Sequence, residues 1–325
     1  MSEEWLIYAL GNGWGHLTRA LSLGRIAAKK HRIRIITNSP YIHKINHEGC
    51  LFQIIPENLS FNQTCEYIKE ILQQQNYHRL VIDTFPRGLG GELADILPQL
   101  QHIPRILIHR DIDPHYVKVK NLKSFVRDNF DLVIVPGEGK DLPLSDLPQI
   151  QYTDPWLIRN AEELPDKNQV RSHIFHLEEN IPIILVCASG QTSELPIFSQ
   201  LAQKLQQNFT HCAVKILAPN CPHGLEKLWI SHHPGIECIA AADIVISSAG
   251  YNTVYECTSL GVPLVALALK RLYDRQAKRA KKSYWVQNID QAIATVKILL
   301  NRVSPVTQLS YPNGVLAALH LIEKI

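Results

Sequence analysis

The stretch Ala241–Ala280, AADIVISSAGYNTVYECTSLGVPLVALALKRLYDRQAKRA, decides the fold. A short apolar run ends in Ser247-Ser248-Ala249-Gly250, and a helical pattern begins near Asn252-Thr253. Strand, small-residue turn and helix start leave backbone amides unpaired where an anion can approach. Glu256 lies one helical turn further on, and a carboxylate there can accept hydrogen bonds from a pair of hydroxyls. Gly261-Val262-Pro263 breaks the helix and opens the next apolar run, Leu264–Leu269. Asp274 and Gln276 follow as a polar pair on the same edge.

The same alternation runs outward from this stretch in both directions. Upstream, after a Pro- and Asp-containing segment at Tyr152–Pro165, Ile181–Ala188 reads as a buried strand and Glu194–Gln207 as a helix. Ala213–Ala218 and Ile244–Ser247 are further strands. The helix candidates are Asn252–Leu260, Asp274–Trp285, Asp290–Asn301 and a closing Gly314–Ile325. The first half repeats the pattern, with strands at Trp5–Leu10, Arg32–Thr37, Leu51–Pro56, Leu80–Asp83, Arg105–Arg110 and Leu132–Pro136. Helices such as Leu17–Lys30 and Cys65–Gln75 lie between them. Strands alternating with helices imply an α/β chain with parallel sheets. The expected organisation is two Rossmann-like domains, residues 1–155 and 156–325, facing a central cleft, with the last helix packing back on the first. In such sheets ligands bind beyond the carboxyl ends of the strands.

Three strand ends in addition to the opening stretch carry candidate chemistry. The first strand runs into Gly11-Asn12-Gly13-Trp14-Gly15-His16, which presents a histidine at a helix start. An imidazole there can take a proton near neutral pH. The spacing is GxGxG rather than GxGxxG, and the second strand ends in Ile36-Thr37-Asn38-Ser39 with no acid, which argues against NAD. The fourth strand delivers Asp83 to the same edge, where it can orient the His16 imidazole and stabilise its charged form. In the second half, Ile181–Ala188 ends in Ser189-Gly190-Gln191-Thr192, another small-residue helix start suited to an anion.

The opening stretch resembles the nucleotide-sugar signature in the C-terminal domain of glycosyltransferase family 28 and its GT-B relatives. The family form is AD, an apolar strand, then S-x-AG-x-x-T-x-x-E, GxP and D-x-Q-x-x-x-A. Ala242, Asp243, Ser247, Ala249, Gly250, Thr253, Glu256, Gly261, Pro263, Asp274, Gln276 and Ala280 match it in register. The GNGWGHLTRAL loop is similar to the family's GGxGGHxxPAL. The resemblance implies a GT-B architecture with His16 as the catalytic base and Asp83 orienting it. It assigns the donor diphosphate to Ser189, Gly190, Gln191, Thr192, Gly250, Asn252 and Thr253, and Ser248 is expected beside them in the nucleotide-donor site. It assigns the ribose to Glu256, and the donor sugar to Asp274 and Gln276. Arg19 replaces the family's proline and Trp14 a small residue, so Gly13, Trp14, Gly15 and Arg19 are expected to shape an acceptor pocket of their own. Arg271, Leu272 and Tyr273 in the sugar loop leave the donor sugar open. Asp111-Ile112-Asp113 (DxD) and His109-Arg110-Asp111 (HRD) are coincidental, because neither has its usual context, although Asp111 follows a strand and can line the cleft.

Composition sets the outer bounds. At 325 residues the chain has room for two cores of about 150 residues each. A hydrophobic share of 46% with 19% charged residues is globular rather than disordered. A formal net charge of +3 from scattered basic residues does not favour nucleic acid. The run Lys270–Lys282 reads as a solvated helix face. Seven separated cysteines without CxxC spacing support neither a zinc site nor a disulfide framework, and suit a reducing cytoplasm. The acidic start MSEEW is unlike a signal peptide, and no apolar run approaches the ~20 residues of a membrane span.

The expected activity is transfer of a sugar from a nucleoside-diphosphate sugar, taken as UDP-linked, to an acceptor hydroxyl. The resemblance implies inversion at the sugar carbon and no metal or other cofactor. The partners expected are a small-molecule donor and acceptor. Peripheral membrane contact stays open, and the sequence does not speak to oligomeric state. The alternatives are a UDP-sugar 2-epimerase, which shares the two-domain architecture, and a sugar-nucleotide-binding protein without chemistry.

Overall fold

Trp5, Leu6, Ile7 and Tyr8 are all buried, as a strand covered on both faces requires. Trp5 and Ile7 enter one core cluster, while Leu6 and Tyr8 enter another. That is the period-two alternation of side chains across a sheet. The computed structural model describes the chain apart from residues 1, 12–13, 178–180, 189, 191, 270–273 and 303–309.

The first sheet has seven parallel strands. They are β1 (Glu4–Tyr8), β2 (Arg32–Thr37), β3 (Leu51–Ile54), β4 (Arg79–Asp83), β5 (Arg105–Ile108), β6 (Leu132–Pro136) and β7 (Ile150–Thr153), in the order β3-β2-β1-β4-β5-β6-β7. The second sheet has six parallel strands. These are β8 (Ile183–Cys187), β9 (Ala213–Leu217), β10 (Trp229–Ile230), β11 (Ile244–Ser247), β12 (Leu264–Leu267) and β13 (Tyr284–Val286), in the order β10-β9-β8-β11-β12-β13. Each sheet therefore winds out from its first strand, turns back and continues on the other side. The crevice of a doubly wound sheet opens at that reversal, here between β1 and β4 and between β8 and β11.

A continuous core joins the halves. Leu185 and Val245 of the second sheet share a cluster with Ile7 and Val81 of the first and with Trp156, Leu157 and Ile158 of the connecting segment. The final helix, Val315–Glu323, packs on helix Gly15–Ala27 and on β7, so the chain ends against the half in which it began. Among the described residues no helix is long and apolar enough to cross a membrane.

Two expectations fail locally. The helix foreseen over Asp274–Trp285 is only Gln276–Ala280, and Tyr284–Val286 becomes the edge strand β13 beside β12. Tyr-Trp-Val favours a pleated surface, whereas the lysines before it merely suggested a helix face. The Pro- and Asp-containing segment at Tyr152–Pro165, expected to separate the two halves, also contributes to the first sheet: Tyr152 and Thr153 pair with Val135 and Pro136 as part of β7.

Candidate active site in the interdomain cleft

The cleft between the halves encloses a cavity of about 390 Å³ lined from both domains. The first half supplies Trp14, Gly15, His16 and Thr18 after β1, Thr84 and Phe85 after β4, and Arg110 and Asp111 after β5. The second supplies Gly190 after β8, Ser248, Gly250, Asn252, Thr253 and Glu256 around the turn after β11, and Asp274 with Gln276 after β12.

On the first side, His16 stands in the first turn of helix Gly15–Ala27, with its ring against Gly11 beyond the end of β1. A methyl group at Gly11 would sit 2.3 Å from His16 Cδ2, so this imidazole position requires glycine there. His16 Nδ1 lies 2.6 Å from Asp83 Oδ2, and the ring stacks on Phe85 with centroids 5.5 Å apart. Asp83 is 2% exposed and also accepts from Arg19, through Nε at 2.7 Å and Nη2 at 2.6 Å. Burial pushes the Asp83 carboxyl up, but Arg19 and His16 outweigh it and hold the pKa far below the usual carboxylate range. Ionised Asp83 therefore fixes the proton on Nδ1 and leaves Nε2 as the lone-pair nitrogen. Burial lowers the His16 pKa, the Asp83 contacts raise it, and Arg19 and Arg110 lower it again, for a net decrease. The imidazole is neutral at pH 7 and able to accept a proton.

Arg19 is a correction. It was expected in the acceptor loop, but its side chain is 1% exposed and does not line the cavity. A buried carboxylate needs a paired cation, and Arg19 fills that place beneath His16. It also donates to Thr84 Oγ1 at 3.1 Å. Thr84 sits at φ 74, a costly conformation for a β-branched residue.

On the second side, Gly250 precedes helix Tyr251–Leu260, whose first amides have no side-chain cap. Gly261 closes that helix at φ 66, as the GxP segment anticipates. Glu256 is 5% exposed and has no hydrogen-bond partner among the described residues, and burial raises its pKa to about 7. Asn252 donates to the Gly15 carbonyl at 3.2 Å across the cleft, while its Oδ1 is buried without a partner among the described residues. Gln276 accepts from the Leu269 amide at 3.2 Å. Asp274 is gripped by Arg279 at 2.8 Å. Ser189, Gln191 and Gly13 lie outside the described residues, as do Arg271, Leu272 and Tyr273 of the sugar loop, and Thr192 is exposed and does not line the cavity.

Asp111 lines the cleft as its strand-end position suggested, whereas Thr18 and His233 escaped the sequence reading. Thr18 Oγ1 lies 3.1 Å from His233 Nε2 across the cleft, and burial lowers the His233 pKa to about 4. Asp111 accepts from Arg275, with Nε at 2.9 Å, so that acid of the DxD triplet is committed to an ion pair. These partners are separated by more than 160 residues, and no local spacing announces them. The strand-end position of Asp111 was the only available signal.

Residues 231–310 match the glycosyltransferase family 28 C-terminal domain. No curated protein matches the chain in sequence. Among solved structures, the chain is similar to the glycotransferase of kitacinnamycin, with a TM-score of 0.62, 14% identity, and 99% of each chain covered. The Streptomyces sp. SF2575 glycosyltransferase SsfS6, complexed with thymidine diphosphate, superposes with a TM-score of 0.62 at 14% identity, covering 99% of this chain and 100% of that one. A putative UDP-N-acetylglucosamine 2-epimerase from Listeria monocytogenes gives 0.63 at 9% identity, covering 97% and 93%. At such identities the likeness is one of fold. The chain has the GT-B architecture and, in its second domain, resembles glycosyltransferase family 28.

Proposed function

We propose that this protein transfers a sugar from a nucleoside-diphosphate sugar, with UDP as the expected carrier, to an acceptor hydroxyl, with inversion and without a metal. His16 Nε2 takes the proton of the acceptor hydroxyl, and Asp83 stabilises the imidazolium. The acceptor oxygen forms its bond to the anomeric carbon from the face opposite the phosphate. The bond from that carbon to the β-phosphate oxygen breaks, and the electron pair leaves with the nucleoside diphosphate. Uncapped amides at the start of helix Tyr251–Leu260 meet the growing charge. Glu256 accepts from the ribose hydroxyls.

The observation that carries this reading is one of contrast within one cavity. A neutral histidine backed by an ionised acid faces a buried carboxylate with no partner among the described residues. The fold also houses a thymidine diphosphate in SsfS6, so thymidine-linked donors belong in the test. UDP-, GDP- and dTDP-sugars are incubated with the protein and cell extract in EDTA, and products are followed by mass spectrometry. An acceptor heavier by one sugar is expected. Conversion of a donor to its 2-epimer with no acceptor present would overturn the reading in favour of an epimerase.

A further inference from the structure

Among the described residues, Arg110 is the one arginine or lysine that lines the cleft. It follows β5, is 8% exposed, and has a buried Nε with no partner among those residues. Its ion pair with Asp274 is long, 3.5 Å from Nη2, and Arg279 holds the same carboxylate at 2.8 Å. Burial and then Arg19 lower the Arg110 pKa to about 10, so it stays a cation at neutral pH while bearing the cost of desolvation. Its guanidinium lies 5.4 Å from the centre of the Tyr251 ring. Tyr251 is the first residue of the ten-residue helix whose uncapped start enters the cavity. A buried cation from the first half and an uncapped helix start from the second thus line the same cavity.

We propose that Arg110 is an anion-binding residue that the first domain contributes to the donor diphosphate, bonding its β-phosphate. The inference rests on reading the cleft as a nucleoside-diphosphate-sugar site. When the bond to the anomeric carbon breaks, the electron pair passes to the β-phosphate oxygen and adds negative charge there. A planar guanidinium fixed in a desolvated site can donate two hydrogen bonds to that group without reorganising. The helix start alone offers about half a unit of positive charge. A phosphate held between Arg110 and the helix amides would also bridge the two domains.

The test is calorimetry of UDP and UMP, with dTDP and dTMP in parallel, against the wild-type protein, Arg110→Gln and Arg110→Lys. Arg110→Gln is expected to weaken diphosphate binding roughly 10- to 100-fold and leave the monophosphate within about twofold. Arg110→Lys keeps the charge but not the fork. It is expected to lose diphosphate affinity by a smaller factor, with the monophosphate again unchanged, and it serves if the glutamine variant does not fold. Equal losses for diphosphate and monophosphate, or no loss for either, would show Arg110 only bracing Asp274 and Tyr251, and would overturn the proposal. If the wild-type protein binds neither diphosphate, the reading of the cleft fails and takes the Arg110 assignment with it.

Discussion

The corner between β1 and β4 and the corner between β8 and β11 are equivalent places in two copies of one architecture, yet they are finished differently. Both put a non-glycine residue in the left-handed region just past the fourth strand of the sheet, Thr84 at φ 74 and Ala249 at φ 61. Both brace it with a buried arginine. Arg19 reaches Thr84 Oγ1 at 3.1 Å, and Arg279 reaches the Ala249 carbonyl at 3.2 Å. Such strain persists only where surrounding contacts over-determine it, and it concentrates at functional corners. The difference lies in the acids. Asp83 is fully committed, to His16 and Arg19, and is ionised at any ordinary pH. Glu256 has no partner among the described residues and sits near its titration point. The first corner has its acid fully paired without ligand, which suits the proton-transfer role proposed for it. The second has hydrogen-bonding capacity left over, which suits the proposed binding role.

Removing the finish of the first corner should be the most damaging to the fold. Arg19→Met would leave Asp83 buried and half-paired, a change that costs about 3–5 kcal/mol in comparable sites. The folded pKa of Asp83 lies below its ordinary 3.8, so its contribution to stability is present above that pH and fades on acidification. The gap between variant and wild type in urea melts should therefore be widest near neutrality and narrow below about pH 4. Equal stabilities at pH 7 would mean that the Arg19 pair contributes nothing.

At the second corner the loss should appear in ligand affinity. Glu256→Ala is expected to weaken UDP binding by about 1–3 kcal/mol in calorimetry with EDTA. The thermal stability of the unliganded protein should hold or rise, because a poorly solvated carboxyl is removed. Undiminished affinity would take Glu256 out of the site. A smaller effect follows from titration. The carboxylate, not the acid, accepts from both ribose hydroxyls, and Glu256 ionises at about 7. UDP affinity should rise from pH 6 to pH 8 by up to about tenfold, and Glu256→Gln should flatten that part of the profile. An identical profile in the variant would assign the pH dependence to the ligand alone.

The parts of this comparison legible in the sequence are those written locally. Ser247-Ser248-Ala249-Gly250 announced a strand-to-helix turn, and the turn stands where expected, with the helix starting at Tyr251 rather than Asn252. The apolar run around Ile181–Ala188 became β8. His16 and Asp83 were foreseen on one edge because each ends a strand unit, and β1 and β4 are neighbours. Arg19 was misplaced because position in a motif says nothing about which way a side chain turns. Its direction is set by Asp83, sixty-four residues away in sequence. Arg110 was hidden for a related reason: its surroundings, Tyr251 and Asp274, come from the other domain.

The central claim is that the two corners divide the labour, with proton transfer at one and nucleotide binding at the other. His16→Ala tests it most directly, with initial rates at saturating donor measured beside a UDP titration. The account predicts a fall in kcat of about 10²–10⁴-fold with UDP affinity unchanged. A variant with near-normal kcat, or one that loses UDP affinity in step with its rate, would contradict it.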